Sequence, residues 1–307
     1  MGHALNNSLQ DVLVRFNRMK GNETLWQPGT DHAGIATQAV VEKNLAKKGL
    51  RKDDLGRENF IKKVWSWKEE SGGIILEQLK KLGCSCDWSR TRFTMDKDLS
   101  KAVIKVFVDL YNDKLIYKDK KLVNWDTALQ TAISDLEVVQ KDTQSKLYYI
   151  NYQIEGMSDT ITIATTRPET MMGDSAIAVN PKDNRYNNLV GKHVKIPLVG
   201  RNIKIIADHY ADPEQGTGAV KITPAHDFND YEVGKRNKLE IINILEKDGK
   251  INKNGIKEYV GLDRFEARKL IINKLKLTGQ LVKIDTIKNK VPYGDRSNTI
   301  IEPLLTE

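Results

Sequence analysis

LYYINYQI, residues 147–154, is where the chain changes character. Tyr148, Ile150, Tyr152 and Ile154 alternate with Asn151 and Gln153. A period of two is the signature of a strand with one buried face. The residues before it follow a different period. Leu5, Leu9, Val12, Phe16 and Met19 recur at spacings of four, three, four and three, which marks one face of a helix, and Gly21 stands where a C-cap belongs. Residues 24–26 read as a short strand entering the loop Gln27-Pro28-Gly29-Thr30. Residues 35–48 read as a second helix closed by Gly49. Phe60, Ile61, Val64, Trp67, Ile75, Leu79 and Leu82 mark a long third helix, with Gly72-Gly73 weakening its middle. Leu99, Val103, Val106 and Leu110 mark a fourth.

Beyond residue 147 the pattern predicts further strands at 160–165, 175–179, 193–198, 202–207 and 219–223, and helices at 227–237 and 264–277. After Val291 the chain turns Pro-, Gly- and polar-rich again. The reading is therefore an α/β chain in three parts: residues 1–143, a β-rich α+β module at 144–285, and a return segment at 286–307. Both ends read as cuts. Met1-Gly2-His3 enters a helix with no strand ahead of it, and Leu304-Leu305-Thr306-Glu307 stops without a terminating signal.

Composition narrows the classes. At roughly 150 residues per domain, 307 residues predict about two domains. The 39% hydrophobic and 29% charged content fits a globular protein with a core of its own. No apolar run reaches the roughly 18 residues of a membrane span, and residues 1–16 are too polar for a signal peptide. Two cysteines, Cys84 and Cys86, can build neither a disulfide framework nor a four-thiolate zinc site, so no metal site is expected and the expected setting is a reducing cytoplasm. A net charge of +8 permits a polyanionic partner without requiring one.

Two N-terminal segments offer ligand chemistry. Gly2 and His3 at a helix start present free N–H groups and an imidazole, a natural site for phosphate. Pro28-Gly29-Thr30-Asp31-His32-Ala33-Gly34-Ile35-Ala36-Thr37-Gln38 sets one carboxylate, Asp31, in a glycine-flanked loop, where it suits an α-ammonium group. The plain alternative is an N-cap at Asp31 or Thr30.

Taken together these segments resemble the valyl-tRNA synthetases, a family of class I aminoacyl-tRNA synthetases. Met1-Gly2-His3 is similar to the last three positions of the family's His-x-Gly-His signature, and GTDHAGIATQ, residues 29–38, resembles the valyl enzymes in particular. Cys86-Asp87-Trp88-Ser89-Arg90, Arg92-Phe93-Thr94-Met95-Asp96, Val123-Asn124-Trp125-Asp126, Leu129-Gln130-Thr131-Ala132-Ile133-Ser134-Asp135 and Gly294-Asp295-Arg296-Ser297 extend the likeness along the chain. The resemblance implies a partial Rossmann-type catalytic domain, 1–143, interrupted by an editing domain, 144–285. It also implies ATP with Mg2+, valine and tRNA-Val as partners, with Gly2 and His3 toward the ATP phosphates and Asp31 toward the valine ammonium.

In the inserted module, Thr165-Thr166-Arg167-Pro168-Glu169-Thr170 follows a strand. Gly216 to Tyr231 runs strand, loop and helix start, with Lys221 and Thr223 on one strand face and Asp227 and Asp230 on one helical face. The resemblance implies one polar pocket holding Arg167, Thr170, Lys221, Thr223, Asp227 and Asp230. Editing there would hydrolyse threonyl-tRNA-Val with a positioned water and neither metal nor cofactor. An apolar pocket rejects threonine's added hydroxyl by only about a hundredfold, a contrast for which this very pair of amino acids is the standard example. A polar pocket reverses the preference. Asp230 would take the ammonium, and Lys221, Thr223 and Asp227 the hydroxyl that valine lacks. Arg167 and Thr170 would orient the ester or the terminal adenosine. The plain alternatives are a helix-dipole role for the two aspartates, a solvated Lys221, and a structural turn residue at His226. Two other functional readings are a non-catalytic tRNA-binding module and an isoleucyl relative.

The chain lacks the first signature histidine, the family's Lys-Met-Ser-Lys-Ser loop and an anticodon-binding region. We therefore expect it not to support ATP–pyrophosphate exchange with valine. Exchange above a no-enzyme blank would overturn that expectation.

Overall fold

The computed structural model describes all 307 residues, as two compact units, Met1–Tyr117 and Lys118–Glu307. The first unit holds α1 (Gly2–Met19), β1 (Gly29–Thr30), α2 (Gly34–Ala46), α3 (Lys52–Lys81), β2 (Arg92–Phe93) and α4 (Lys97–Asn112). All four helices stand where the periodicity places them. The short strand does not. Residues 24–26 form no ladder, and pairing begins at Gly29, opposite Arg92. Pro28 brings no N–H to a ladder, although its carbonyl accepts from the Arg92 N–H at 3.1 Å. β1 and β2 run parallel, which requires a crossover, and α2 and α3 supply it. This parallel pair of two-residue strands is the unit's whole sheet.

Gly72-Gly73 leaves α3 intact. The helical backbone is interrupted instead at Gly56, whose φ of 70° and ψ of 161° only glycine adopts readily. Periodicity also says nothing of partners. No residue of α1 is buried, and Leu5, Leu9, Val12 and Phe16 lie exposed, as do Val103 and Val106 of α4.

The second unit is built on strands. β3 (Lys121–Asp126), β4 (Thr131–Ile133) and a C-terminal β12 (Glu302–Thr306) form a small sheet in the order β12-β3-β4. The larger sheet holds β5 (Val138–Ile154), β6 (Thr160–Thr165), β7 (Ala176–Val179), β8 (His193–Lys195), β9 (Asn202–Ala207), β10 (Ala219–Ile222) and, after α5 (Phe228–Arg236) and α6 (Arg264–Leu277), β11 (Leu281–Gly294). Its order is β10-β7-β9-β8-β5-β11, with β6 also on β5. The sheet curls until β6 meets β10, and Thr217 Oγ1 donates to the Thr162 carbonyl at 2.7 Å across the closure. The fold is thus mixed α/β.

β5 and β11 pair from Val138–Gly294 through to Ile150–Leu281. This ribbon runs unbroken past both 143/144 and 285/286, because each residue there has a cross-strand partner. β3, β4 and β12 lie in stretches where no clean alternation announces a strand. The period of two at 147–154 does its work in the core: Ile150, Tyr152 and Ile154 are fully buried with Ile161, Ile163, Ile177 and Ile205, under Ala267, Ile271 and Leu275 of α6. A smaller cluster packs Ala176, Ala178 and Ile222 on Val233 of α5.

Gly173, just ahead of β7, has no room for a side chain. A Cβ there would lie 2.8 Å from the Ile242 carbonyl oxygen, a backbone atom, and 3.2 Å from Thr223 Cγ2. Gly173→Ala is expected to destabilise the protein by about 1–3 kcal/mol. The check is a lowered urea midpoint at unchanged slope.

Candidate functional site

β6 ends at Thr165, and Pro168 opens a tight 3-10 turn, Pro168–Gly173, of which every residue is buried. Proline's fixed φ suits that first position. The turn points Thr170 one way and Glu169 another, then leads into Asp174. β10 brings Lys221 into the same interior, 8% exposed, and Thr223 follows it. The Lys221 ammonium donates to Thr170 Oγ1 at 2.8 Å, to Asp174 Oδ1 at 3.2 Å, and to Thr223 Oγ1. All three of its N–H groups are thereby engaged. Thr223 Oγ1 donates to Asp174 Oδ1 at 2.7 Å, and the buried Tyr152 hydroxyl donates to Asp174 Oδ2 at 2.8 Å. Burial pushes the Asp174 carboxyl up from its ordinary range, against the pull of the Lys221 charge and the Thr223 and Tyr152 hydroxyls. The same burial, with the neighbouring Asp174 charge, holds the Tyr152 phenol protonated.

Asp230 joins this cluster through the backbone: its Oδ2 accepts the Thr223 N–H at 2.8 Å. Asp227 caps α5, its Oδ1 accepting from the N–H groups of Asn229 at 2.8 Å and Asp230 at 3.0 Å. Burial, then the nearby Asp227 charge, raises the Asp230 carboxyl to about 7. Tyr210 is pushed up too, by burial and then by the charges of Asp230 and Asp227.

Arg167 belongs to a second network. Its guanidinium donates to the His226 carbonyl at 3.0 Å and to Glu169 at 3.4 Å, and pairs with Glu302 on β12. Arg268 of α6 forks onto Glu169 at 2.6 and 2.7 Å, and Arg264 reaches Glu302 at 2.7 Å. Burial opposes charge on Glu169, but the two arginines win and hold its carboxyl below the usual range. Arg167, Asp227, His226, Phe228 and Arg268 wall a groove of about 1280 Å³ that runs along the β5–β11 ribbon. His226 is 2% exposed, and its Nδ1 is buried without a hydrogen-bond partner. Its Nε2 accepts the Ile244 N–H at 3.0 Å, so the ring proton sits on Nδ1, and burial keeps the imidazole neutral.

The structure thus binds Thr170, Lys221, Thr223 and Asp230 into one buried cluster, and sets Arg167 and Asp227 on the groove wall. The two groups connect directly: Thr170 Oγ1 donates to the Arg167 carbonyl at 2.9 Å, and Asp227 holds the Asp230 N–H. The sequence alone gives no site role to Asp174, Glu302, Arg264, Arg268 or Glu169, and reads Tyr152 only as part of a strand's buried face. Glu169–Arg167 apart, the contacts that define them span 22 to 135 residues, and no local spacing reports such contacts.

In the first unit, Gly2 and His3 are exposed in the first turn of α1, which has no side-chain cap. Asp31 is exposed and accepts the Ala33 N–H, with His32 Nδ1 3.7 Å away. α2 is entered through Ala33 in the left-handed region, and neither Asp31 nor Thr30 is its N-cap. A cavity of about 640 Å³ is lined by Gly34, Thr37, Gln38, Trp65, Lys68 and Phe93, among others, but not by Gly2, His3 or Asp31. Cys84 and Cys86 remain thiols, both raised by burial.

The chain belongs to the class I tRNA synthetases: residues 1–291 match the family described as tRNA synthetases class I (I, L, M and V). Within that class its likeness runs to the valine enzymes. It is 72% identical over all 307 residues to a valine–tRNA ligase of Pelagibacter ubique, covering 35% of that protein, and 58% identical over 330 aligned residues to one of Rhodopseudomonas palustris, covering 34% of it. The chain spans about a third of the length of the curated relatives it matches. A solved chain from the Agrobacterium radiobacter K84 LeuRS–tRNA–LeuAMS ternary complex aligns with a TM-score of 0.39 and 20% identity, over 94% of this chain and 42% of its own.

An aspartate raised from about 4 to about 7 leaves the folded chain holding a proton that the unfolded chain has lost between those values. Its contribution to stability is complete below pH 4 and fades as the pH climbs through 7. Asp230→Asn keeps an acceptor for the Thr223 N–H without the charge. Relative to wild type it should gain on the order of 2 kcal/mol between pH 5 and pH 8. Urea unfolding of both proteins at the two pH values measures this, and a constant difference would refute it.

Proposed function

We propose that this chain is the editing-bearing portion of a valine–tRNA ligase, and that its 144–285 module hydrolyses the threonyl ester of tRNA-Val. The observation that carries the reading is the buried Lys221–Thr170–Thr223 cluster with Asp230 attached, in a chain so similar to valine–tRNA ligases. Polar groups that are buried and ordered select a ligand able to pair with them.

The threonine α-ammonium lies against Asp230 and favours its carboxylate form. The side-chain hydroxyl is received among Lys221, Thr223 and Asp227. Because the Lys221 N–H groups are already engaged, lysine's part is to hold Thr170 and Thr223, whose remaining lone pairs accept the hydroxyl proton. Arg167, on the groove wall, orients the ester or the terminal adenosine, and Thr170 contributes to that through the Arg167 carbonyl, which its hydroxyl holds. Water adds to the ester carbonyl, the bond to the ribose oxygen breaks, and the ribose leaves as a hydroxyl with threonine as the acid. Valine offers no proton to the cluster and loses about 1–3 kcal/mol for each group left unpaired.

The whole ligase would activate valine with ATP and pass it to tRNA-Val in the cytoplasm, with Gly2 and His3 toward the ATP phosphates and Asp31 toward the valine ammonium. Mg2+ would accompany the ATP. No helix is long and apolar enough to cross a membrane.

The test is deacylation by the 307-residue chain. Threonyl-tRNA-Val should be cleaved at least about tenfold faster than valyl-tRNA-Val, and Asp230→Ala should slow threonyl cleavage about tenfold to a hundredfold. Equal survival of both esters, with salt-sensitive tRNA binding alone, would instead support a non-catalytic tRNA-binding module.

A further inference from the structure

Asp174 is fully buried and touches neither the groove nor solvent. Its two oxygens nevertheless receive three donors from two separate segments: Lys221 and Thr223, at the end of β10, on Oδ1, and Tyr152 of β5 on Oδ2. It is the one anion in direct contact with the Lys221 ammonium. We propose that Asp174 is a positioning residue for the acyl-binding cluster, its carboxylate, anchored by Tyr152, holding Lys221 and Thr223 in the arrangement that receives a β-hydroxylated acyl group. This rests on the deacylase reading above and adds to it a residue that never meets the substrate.

Two consequences of the geometry support the assignment. First, without Asp174 the ammonium has only hydroxyl partners in a buried site, and an unpaired buried cation either turns toward water or gives up its proton. Lys221 is long enough to do the former. Second, the single Thr223 proton is committed to Asp174, which fixes the hydroxyl rotor. Thr223 accepts from Lys221 with one lone pair and keeps the other for a ligand. Thr170 is set the same way, its proton on the Arg167 carbonyl. The cluster therefore presents acceptors and no free donor. It suits a hydroxyl that donates, and a methyl group in its place finds nothing. Asp174→Asn keeps one acceptor oxygen for Lys221 and Thr223 but takes away the only anion beside the ammonium and turns an NH2 toward the Tyr152 hydroxyl.

The experiment uses the 307-residue chain, with Asp174→Asn and Tyr152→Phe as variants. Two quantities are read: kcat and KM for threonyl- and valyl-tRNA-Val, and the rate at which Lys221 is methylated by formaldehyde and borohydride, followed by mass spectrometry. For Asp174→Asn we expect wild-type circular dichroism, KM within about twofold, and kcat on the threonyl ester down about tenfold or more, which narrows its ratio to the valyl ester. Lys221 methylation should become faster. Tyr152→Phe removes one of the three donors, and should move both readouts the same way, with kcat down about threefold. A folded Asp174→Asn with unchanged selectivity and a protected Lys221 overturns the proposal. Should Asp174→Asn fail to fold, Tyr152→Phe decides alone by the same two readouts. If the wild-type chain cleaves neither ester, the deacylase reading fails. The methylation result then still separates the two ideas: faster Lys221 labelling in the variants upholds Asp174 as its anchor, and unchanged labelling removes it.

Discussion

An ammonium ion on the inward face of a strand is tolerated only beside a negative charge, and in this protein the Lys221–Asp174 contact meets that condition. The cost of desolvating both groups is large, and removing one partner of such a pair typically loses about 3–5 kcal/mol because the other is left charged and buried. Satisfying the pair organises its surroundings. Thr170, Thr223 and Tyr152 are each drawn in by a free donor or acceptor on one of the two ions. In this way β5, the turn at Pro168–Gly173 and β10 are tied together by polar contacts inside an otherwise apolar core. The same contacts make a cluster of ordered lone pairs. That is the feature a site needs if it is to prefer a hydroxyl over a methyl of the same size.

The turn also faces the other way. Glu169, its second residue, lies between Arg167 and Arg268, and Glu302 lies between Arg167 and Arg264. This chain of alternating charges fastens β12 and α6 to the end of β6. Arg167 is consequently a groove wall whose guanidinium is held on three sides before any ligand arrives. Rigidity of that kind lowers the entropy lost when any ligand meets that wall. The groove and the buried cluster share the Arg167 backbone: its side chain serves the groove, and its carbonyl holds the Thr170 hydroxyl.

Particular residues show how far the sequence can be read. The alternation of Tyr148, Ile150, Tyr152 and Ile154 located β5 because a buried face repeats every second residue whatever lies opposite. The helices at 264–277 and the strands at 160–165 and 202–207 were legible for the same kind of reason, each having one apolar face of the right period. The resemblance puts Arg167, Thr170, Lys221, Thr223, Asp227 and Asp230 in one pocket, whereas the structure gathers Thr170, Lys221, Thr223 and Asp230 in a buried cluster and leaves Arg167 and Asp227 on the groove wall. Residues 24–26 went the other way. They have a strand's composition but no strand beside them, and the ladder waits until Gly29 finds Arg92.

What the sequence by itself determined was the identity and rough bounds of the elements and the polar residue types gathered near two strand ends, since periodicity and capping act over a handful of residues. Only the tertiary structure decided that Tyr152 and Asp174 stand behind Lys221, that Glu302 reaches back 135 residues to Arg167, and that Asp230 sits where its carboxyl rises to about 7. Those outcomes depend on the dielectric and on partners brought in from distant segments, and neither quantity has a local trace in the order of amino acids.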